Sequence, residues 1–168
     1  GDVLALSAQR FVAVIPAHEV QSVWTALTTT ARPAGRLAWQ WLDIRDGLPL
    51  ICEATKEAFV PQMADFDRIG GVSFHKGCYP GQEIIARTQY LGKVKRHLYH
   101  LYAQAPMAAG MAVFSPDSPE HAVGTVVNAA PSPEGGHVAL AVIQENFIDG
   151  TLTLETLEGP DLRLVKLE

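Results

Sequence analysis

Thr151-Leu152-Thr153-Leu154-Glu155 and Leu162-Arg163-Leu164-Val165-Lys166 decide the fold class. Both alternate apolar with polar residues, the period-two pattern of strands that keep one face on a core and one in water. Working back toward the amino terminus, Arg96–Ala103, Met111–Phe114, Val123–Ala129 and His137–Ile143 are β-like runs of the same kind, and the last run of the chain extends to Leu167. Gly, Pro and Asp separate them. Six such runs predict a small antiparallel barrel or sandwich over residues 92–168.

Before Gly92 the grain is different. Val3–Leu6 and Phe11–Ile15 read as a hairpin. Pro16 opens a helical stretch to about Thr30, with Val20, Val23, Trp24 and Leu27 on one apolar face, so Trp24 is read as core. Arg32–Arg36 is a breaker segment. Leu37–Ile44 reads as a short helix, with a strand as the alternative. Asp46–Pro49 is a turn, and Leu50–Phe74 is an irregular stretch of a length that often carries function. Pro80 is placed at the first helical position of a helix that runs from Gln82 to Tyr90 and is stopped by Gly92. The fold class is therefore α+β, an α+β domain over 1–91 followed by a β-barrel domain over 92–168.

The chain has 168 residues, 48% of them hydrophobic and 18% charged, which is a globular composition. Its net charge of −5 disfavours broad contact with RNA or DNA. No apolar run approaches the ~20 residues that span a bilayer, and no signal-peptide pattern opens the chain. Cys52 and Cys78 make no disulfide framework, so a reducing cytoplasm is the expected setting. The chain opens at Gly1 and runs at once into an apolar segment, as though partway through a domain.

Chemistry concentrates in His75-Lys76-Gly77-Cys78-Tyr79-Pro80-Gly81-Gln82-Glu83. The two glycines allow a tight turn and close approach to a ligand. A cysteine just before a helix start meets free N–H groups and the positive end of the dipole, which favour thiolate. Lys76 adds to this if its ammonium folds toward the sulfur. The competing reading is a small buried hydrophobe.

The string Lys76–Glu83 resembles the signature of the YgfZ folate-binding family, usually K-G-C-[FY]-[TV]-G-Q-E. Phe59-Val60-Pro61-Gln62, Gly70-Gly71-Val72-Ser73-Phe74 and Lys95-Arg96 fit the family in order and spacing. The likeness is strongest from Ile44 to Arg96. Pro80 replaces the usual Thr or Val. Arg45 stands where the related aminomethyltransferases often place a pterin-contacting glutamate, with Asp46 beside it. The resemblance implies two α+β parts and a carboxy-terminal antiparallel barrel around a folate-sized hole, of which this chain would lack the first part. It also implies tetrahydrofolate as cofactor, and iron–sulfur client or assembly proteins, including those of tRNA modification, as partners. Direct binding to RNA or DNA, and to membrane, is not implied.

On that resemblance Cys78 and Lys76 are the candidate working residues, and Gly77, Tyr79, Gln82, Glu83, Arg87 and Arg96 the candidate folate contacts. Each has an ordinary alternative. Lys76 holds a folate carboxylate, lowers the Cys78 pKa, or is a solvated loop lysine. Gln82 and Glu83 meet a pterin edge, or Glu83 complements the helix dipole. Arg87, Lys93, Lys95, Arg96, His97 and His100, interleaved with Tyr90 and Tyr99, bind a polyanion or protect a strand edge. Cys52 is read as core. Two thiolates fall short of the four that an iron–sulfur cluster usually needs, and the six histidines show no zinc spacing. Three functions compete: a folate-dependent accessory factor for iron–sulfur proteins acting through Cys78, a one-carbon (aminomethyl) transferase, and a non-catalytic docking module for protein or RNA.

Overall fold

A computed structural model of the chain describes residues 1–74, 77–90 and 92–166. Lys76, one of the two candidate working residues, and Leu167, the expected end of the last strand, lie outside the described residues. The chain divides into two compact units, Gly1–Gly35 and Arg36–Glu168.

In the first unit β1 (Asp2–Ala5) pairs antiparallel with β2 (Phe11–Val14), in register Asp2↔Val14 to Ala5↔Phe11, as the two apolar runs predict. α1 (Val20–Thr28) follows. The apolar face of α1 forms, but it is not core: no residue of the helix is buried and Trp24 is 54% exposed. A two-stranded hairpin and one short helix supply too little surface to enclose an indole.

The second unit is built on six strands: β3 (Arg96–Ala103), β4 (Ala112–Phe114), β5 (Gly124–Pro131), β6 (His137–Gln144), β7 (Leu152–Leu154) and β8 (Asp161–Leu164). They close in the order β3-β6-β5-β4-β7-β8, because β3 pairs with β6 on one side and β8 on the other. All pairings are antiparallel, and the architecture is a barrel rather than a sandwich.

β6 holds the barrel to the preceding segment. It pairs along its whole length with β3, from Arg96↔Gln144 to Ala103↔His137. Ala139, Ala141 and Ile143 point into the barrel with Leu101, Val113, Val126, Leu152 and Leu154. Val138, Leu140 and Val142 point outward, yet they too are buried, beneath Ile44, Ala64, Trp41, Phe59, Met63 and Phe66. The uninterrupted apolar run of β6 follows from this, since neither face meets water. Consecutive valines of β5, 126 and 127, serve opposite cores by ordinary strand alternation, and the register with β6 shifts at a bulge between Val126 and Asn128. Gly124 is required at the β5–β6 crossing, where an added Cβ would sit 2.7 Å from the Val142 carbonyl oxygen.

The outer cover comes from α2 (Arg36–Arg45) and from the 3-10 turn Pro61–Ala64 with its flanking Phe59 and Phe66, while an earlier 3-10 turn, Glu53–Thr55, precedes them. The helical reading of the Trp39–Trp41 stretch holds. His100 on β3 donates through Nε2 to the Ile44 carbonyl at 2.7 Å, fixing the end of α2 on the barrel wall. The expected irregular loop is thus largely a packing element, with Gln62 and Ala64 buried.

The candidate site around Cys78

A turn at Pro80 and Gly81 leads the chain from Gly77–Tyr79 into α3 (Gln82–Tyr90). Gly81 has φ +84°, outside the helical region, so the helix begins one residue later. Pro80 consequently sits in the turn before α3 and not at its first position, as the sequence pattern suggested. The turn is held reciprocally: the Gln82 backbone N–H donates to the Tyr79 carbonyl at 3.2 Å, and the Tyr79 N–H donates to Gln82 Oε1 at 3.3 Å. Gln82 therefore spends part of its amide's capacity on local structure.

Cys78 is a free, exposed thiol. It borders a cleft of about 230 Å³ lined also by Ser73, Phe74, Gly77, Tyr79, Gln82, Ala86 and Tyr90. Of the residues singled out from sequence, Gly77, Cys78, Tyr79 and Gln82 meet here. The spacing explains the helical wall, because Gln82, Ala86 and Tyr90 recur every four residues on one face of α3. Phe74 and Tyr90 pack edge to face at 6.2 Å, closing one end of the cleft with aromatic surface. The sequence points to Tyr90 only as an aromatic of the basic stretch, not of this cleft, and does not point to Phe74, although the i, i+4, i+8 pattern from Gln82 carries the signal for Tyr90.

Three expected contacts stand apart. Glu83 and Arg87 are exposed on α3, acidic in its first turn and basic in its last, which suits the helix dipole. Arg96 lines a different cleft of about 400 Å³ with Lys93, Lys95, Thr88, Val60, Met63 and Gln144. Thr88 is two residues from Ala86, roughly 200° around the helix, so α3 lies between the two clefts. Arg45 is engaged locally, its guanidinium on Asp46 Oδ1 at 3.0 and 3.1 Å and its charge 5.5 Å from the Trp41 ring.

Cys52 is not core. It is exposed at the start of the Glu53–Thr55 turn, following the exposed Leu50 and Ile51. A hydrogen bond from the Thr55 hydroxyl, 3.7 Å from Sγ, with the Ala54 backbone N–H, holds its thiol pKa below the ordinary value. A partly buried charge sits instead at Asp65, near the exposed Arg68 and the half-buried His97. Burial raises its carboxyl pKa, with Arg68 and His97 pulling the other way. Among the described residues no three His, Cys, Asp or Glu side chains are placed to hold a metal ion, and no helix is long and apolar enough to cross a membrane.

No family model matches the chain. Curated proteins do. It is 35% identical over 134 residues, 78% of this chain and 40% of the relative, to the tRNA-modifying protein YgfZ of Edwardsiella ictaluri. The proteins of the same name from Yersinia pestis and Yersinia pseudotuberculosis are 39% identical over 101 residues, 60% of this chain and 31% of theirs. The chain is of the YgfZ type over the part it matches. It spans less than half the length of these YgfZ relatives. The α+β architecture with a small antiparallel barrel, expected from the resemblance, is the one this YgfZ-type chain adopts.

Proposed function

We propose that the protein is a folate-binding accessory factor that supports iron–sulfur enzymes of tRNA modification, with Cys78 as its working thiol. The observation that carries this reading is an exposed sulfur on the rim of a cleft walled by Phe74, Tyr79 and Tyr90 and bordered by an amide. The relatives' shared name supplies the tRNA context.

The cleft's chemistry fits one end of a folate. Aromatic faces suit a flat heterocycle, and Gln82 can meet a pterin edge that both donates and accepts hydrogen bonds. At about 230 Å³ the cleft lies below the roughly 300–1,000 Å³ common for small-molecule sites. It therefore takes a ring and not the whole cofactor. When bound, tetrahydrofolate supplies one-carbon chemistry. The chain's own contribution is to seat the ring between Phe74, Tyr79 and Tyr90, to orient it through Gln82, and to shield it from water on one side. Gly77 lets the backbone come close to the ring. Cys78 then stands at the rim as a nucleophile or a soft ligand, reachable by a client protein, with Lys76 its candidate cationic neighbour. Arg96, with Lys93 and Lys95, offers cations for a carboxylate on the far side of α3, while Glu83 and Arg87 remain available at the exposed surface for the partner.

Replacing Cys78 by serine tests the reading. In a strain lacking the protein, Cys78→Ser is expected to leave folding intact and to fail to restore tRNA methylthiolation, measured by nucleoside mass spectrometry. Full restoration by the serine variant overturns the role.

A further inference from the structure

Gln62 is 3% exposed, in the 3-10 turn Pro61–Ala64. That turn is fixed in the outer core, where Ala64 is fully buried and Met63 and Phe66 pack beneath β5 and β6. From this rigid base Gln62 Nε2 donates to the Ile85 carbonyl at 2.8 Å, crossing 23 positions of sequence to reach α3. α3 has no buried residue of its own, and Ile84 and Tyr90 are 63% and 70% exposed. Its placement therefore owes little to apolar burial, and a directional bond from a fixed point weighs correspondingly more.

The other end of the amide argues in the same direction. Gln62 Oε1 is buried and has no hydrogen-bond partner among the described residues. An orphaned buried acceptor works against stability. A methionine of similar length would fill the same space without that cost. What glutamine adds is the N–H on Ile85, one residue before Ala86 and three after Gln82, both of which line the Cys78 cleft.

We propose that Gln62 is a positioning residue for the Cys78 cleft: its buried amide tethers α3 to the barrel-bound turn and so sets the wall against which Cys78 works. The inference rests on the reading of Cys78 as the working thiol. Gln62 touches neither the sulfur nor the cleft. It acts through the helix.

The test uses the intact chain carrying Cys52→Ser, so that Cys78 is the single thiol. Hydrogen exchange is followed in residues 82–90 and in 137–144, together with the rate of Cys78 alkylation by iodoacetamide. Gln62→Met is expected to lower protection in 82–90 by on the order of 3- to 10-fold, the loss of one hydrogen bond, to leave 137–144 unchanged, and to raise alkylation as the wall loosens. Gln62→Glu gives a signature that packing alone does not. Its carboxylate has no proton for Ile85 at pH 8, whereas a buried glutamate is protonated near pH 5 and can donate. Protection in 82–90, corrected for intrinsic exchange, is expected to match Gln62→Met at pH 8 and wild type at pH 5.

Protection and alkylation within twofold of wild type in a folded Gln62→Met variant overturn the proposal. If that variant loses protection in 137–144 as well, the glutamate variant decides: pH-independent protection in 82–90 refutes the tether. Neither readout involves folate, so a failure of the folate-dependent function leaves these results standing, and the reverse holds.

Discussion

Leu140 tests whether the segment before the barrel and the barrel itself share one core. The side chain is fully buried on the outer face of β6, in one cluster with Ile44, Ala64 and Val127. If that face were solvated, as in an ordinary half-buried strand, Leu140→Ala would fall within about 0.5 kcal/mol of wild type. Buried as it is, deletion removes the side chain's transfer energy and leaves a cavity among atoms that collapse only in part, a cost of about 2–5 kcal/mol. At about 2–4 °C per kcal/mol for a chain near this size, the melting temperature drops by roughly 4–20 °C. Ile143→Ala, which deletes a residue from the barrel interior, is expected to cost a similar amount. Thermal unfolding followed by circular dichroism reads both, and urea midpoints provide the free energies. Combining Leu140→Ala with Ile44→Ala should cost less than the two singles together, by at least about 0.5 kcal/mol, because each removes part of the other's contact. A Leu140→Ala variant within 0.5 kcal/mol of wild type, beside an Ile143→Ala variant that loses several, refutes the two-faced reading of β6.

Two further perturbations address charge. Burial lifts the Asp65 carboxyl above its ordinary pKa, so the folded state holds that proton more tightly than the unfolded one. Stability from this group is present below the unfolded value of about 3.9 and is lost as pH rises through the raised folded value. The urea midpoint of Asp65→Asn is expected to gain on wild type as pH rises above about 4; a pH-independent difference or the opposite slope contradicts this. At Cys52, Thr55→Val removes the hydroxyl that chiefly lowers the thiol pKa. In a Cys78→Ser background the alkylation–pH profile of Cys52 should move to higher pH, and an unmoved profile removes Thr55 as the cause.

Much of the barrel was legible because alternation and turn residues are local signals. All six strands formed close to their expected positions, and the hairpin and the three helices formed too. Outcomes that depend on what covers a face were not legible in this way. Trp24 has helical spacing but nothing in its own unit large enough to bury it, while Thr153, polar in an alternating run, is buried with its Oγ1 unpartnered among the described residues. Leu164 sits where alternation expects a core residue and is 38% exposed. The run Val138–Ile143 lacks polar alternates altogether, which is the sequence trace of a strand covered on both sides. At the site, the motif located Cys78, Gly77, Tyr79 and Gln82, because these lie within six consecutive residues. It could not separate them from Arg96, which shares the basic stretch after α3 but is carried to another cleft. Phe74 and Tyr90 meet only once the turn has folded. Pro80 misplaced the helix start because the left-handed conformation of Gly81 was invisible in the string.

The central claim is that the cleft beside Cys78 receives tetrahydrofolate. In the Cys52→Ser chain, alkylation of Cys78 is measured across pH with and without tetrahydrofolate. The account predicts slowing that saturates with ligand and is lost in Tyr90→Ala. Identical rates at every ligand concentration, with the chain folded, would contradict it.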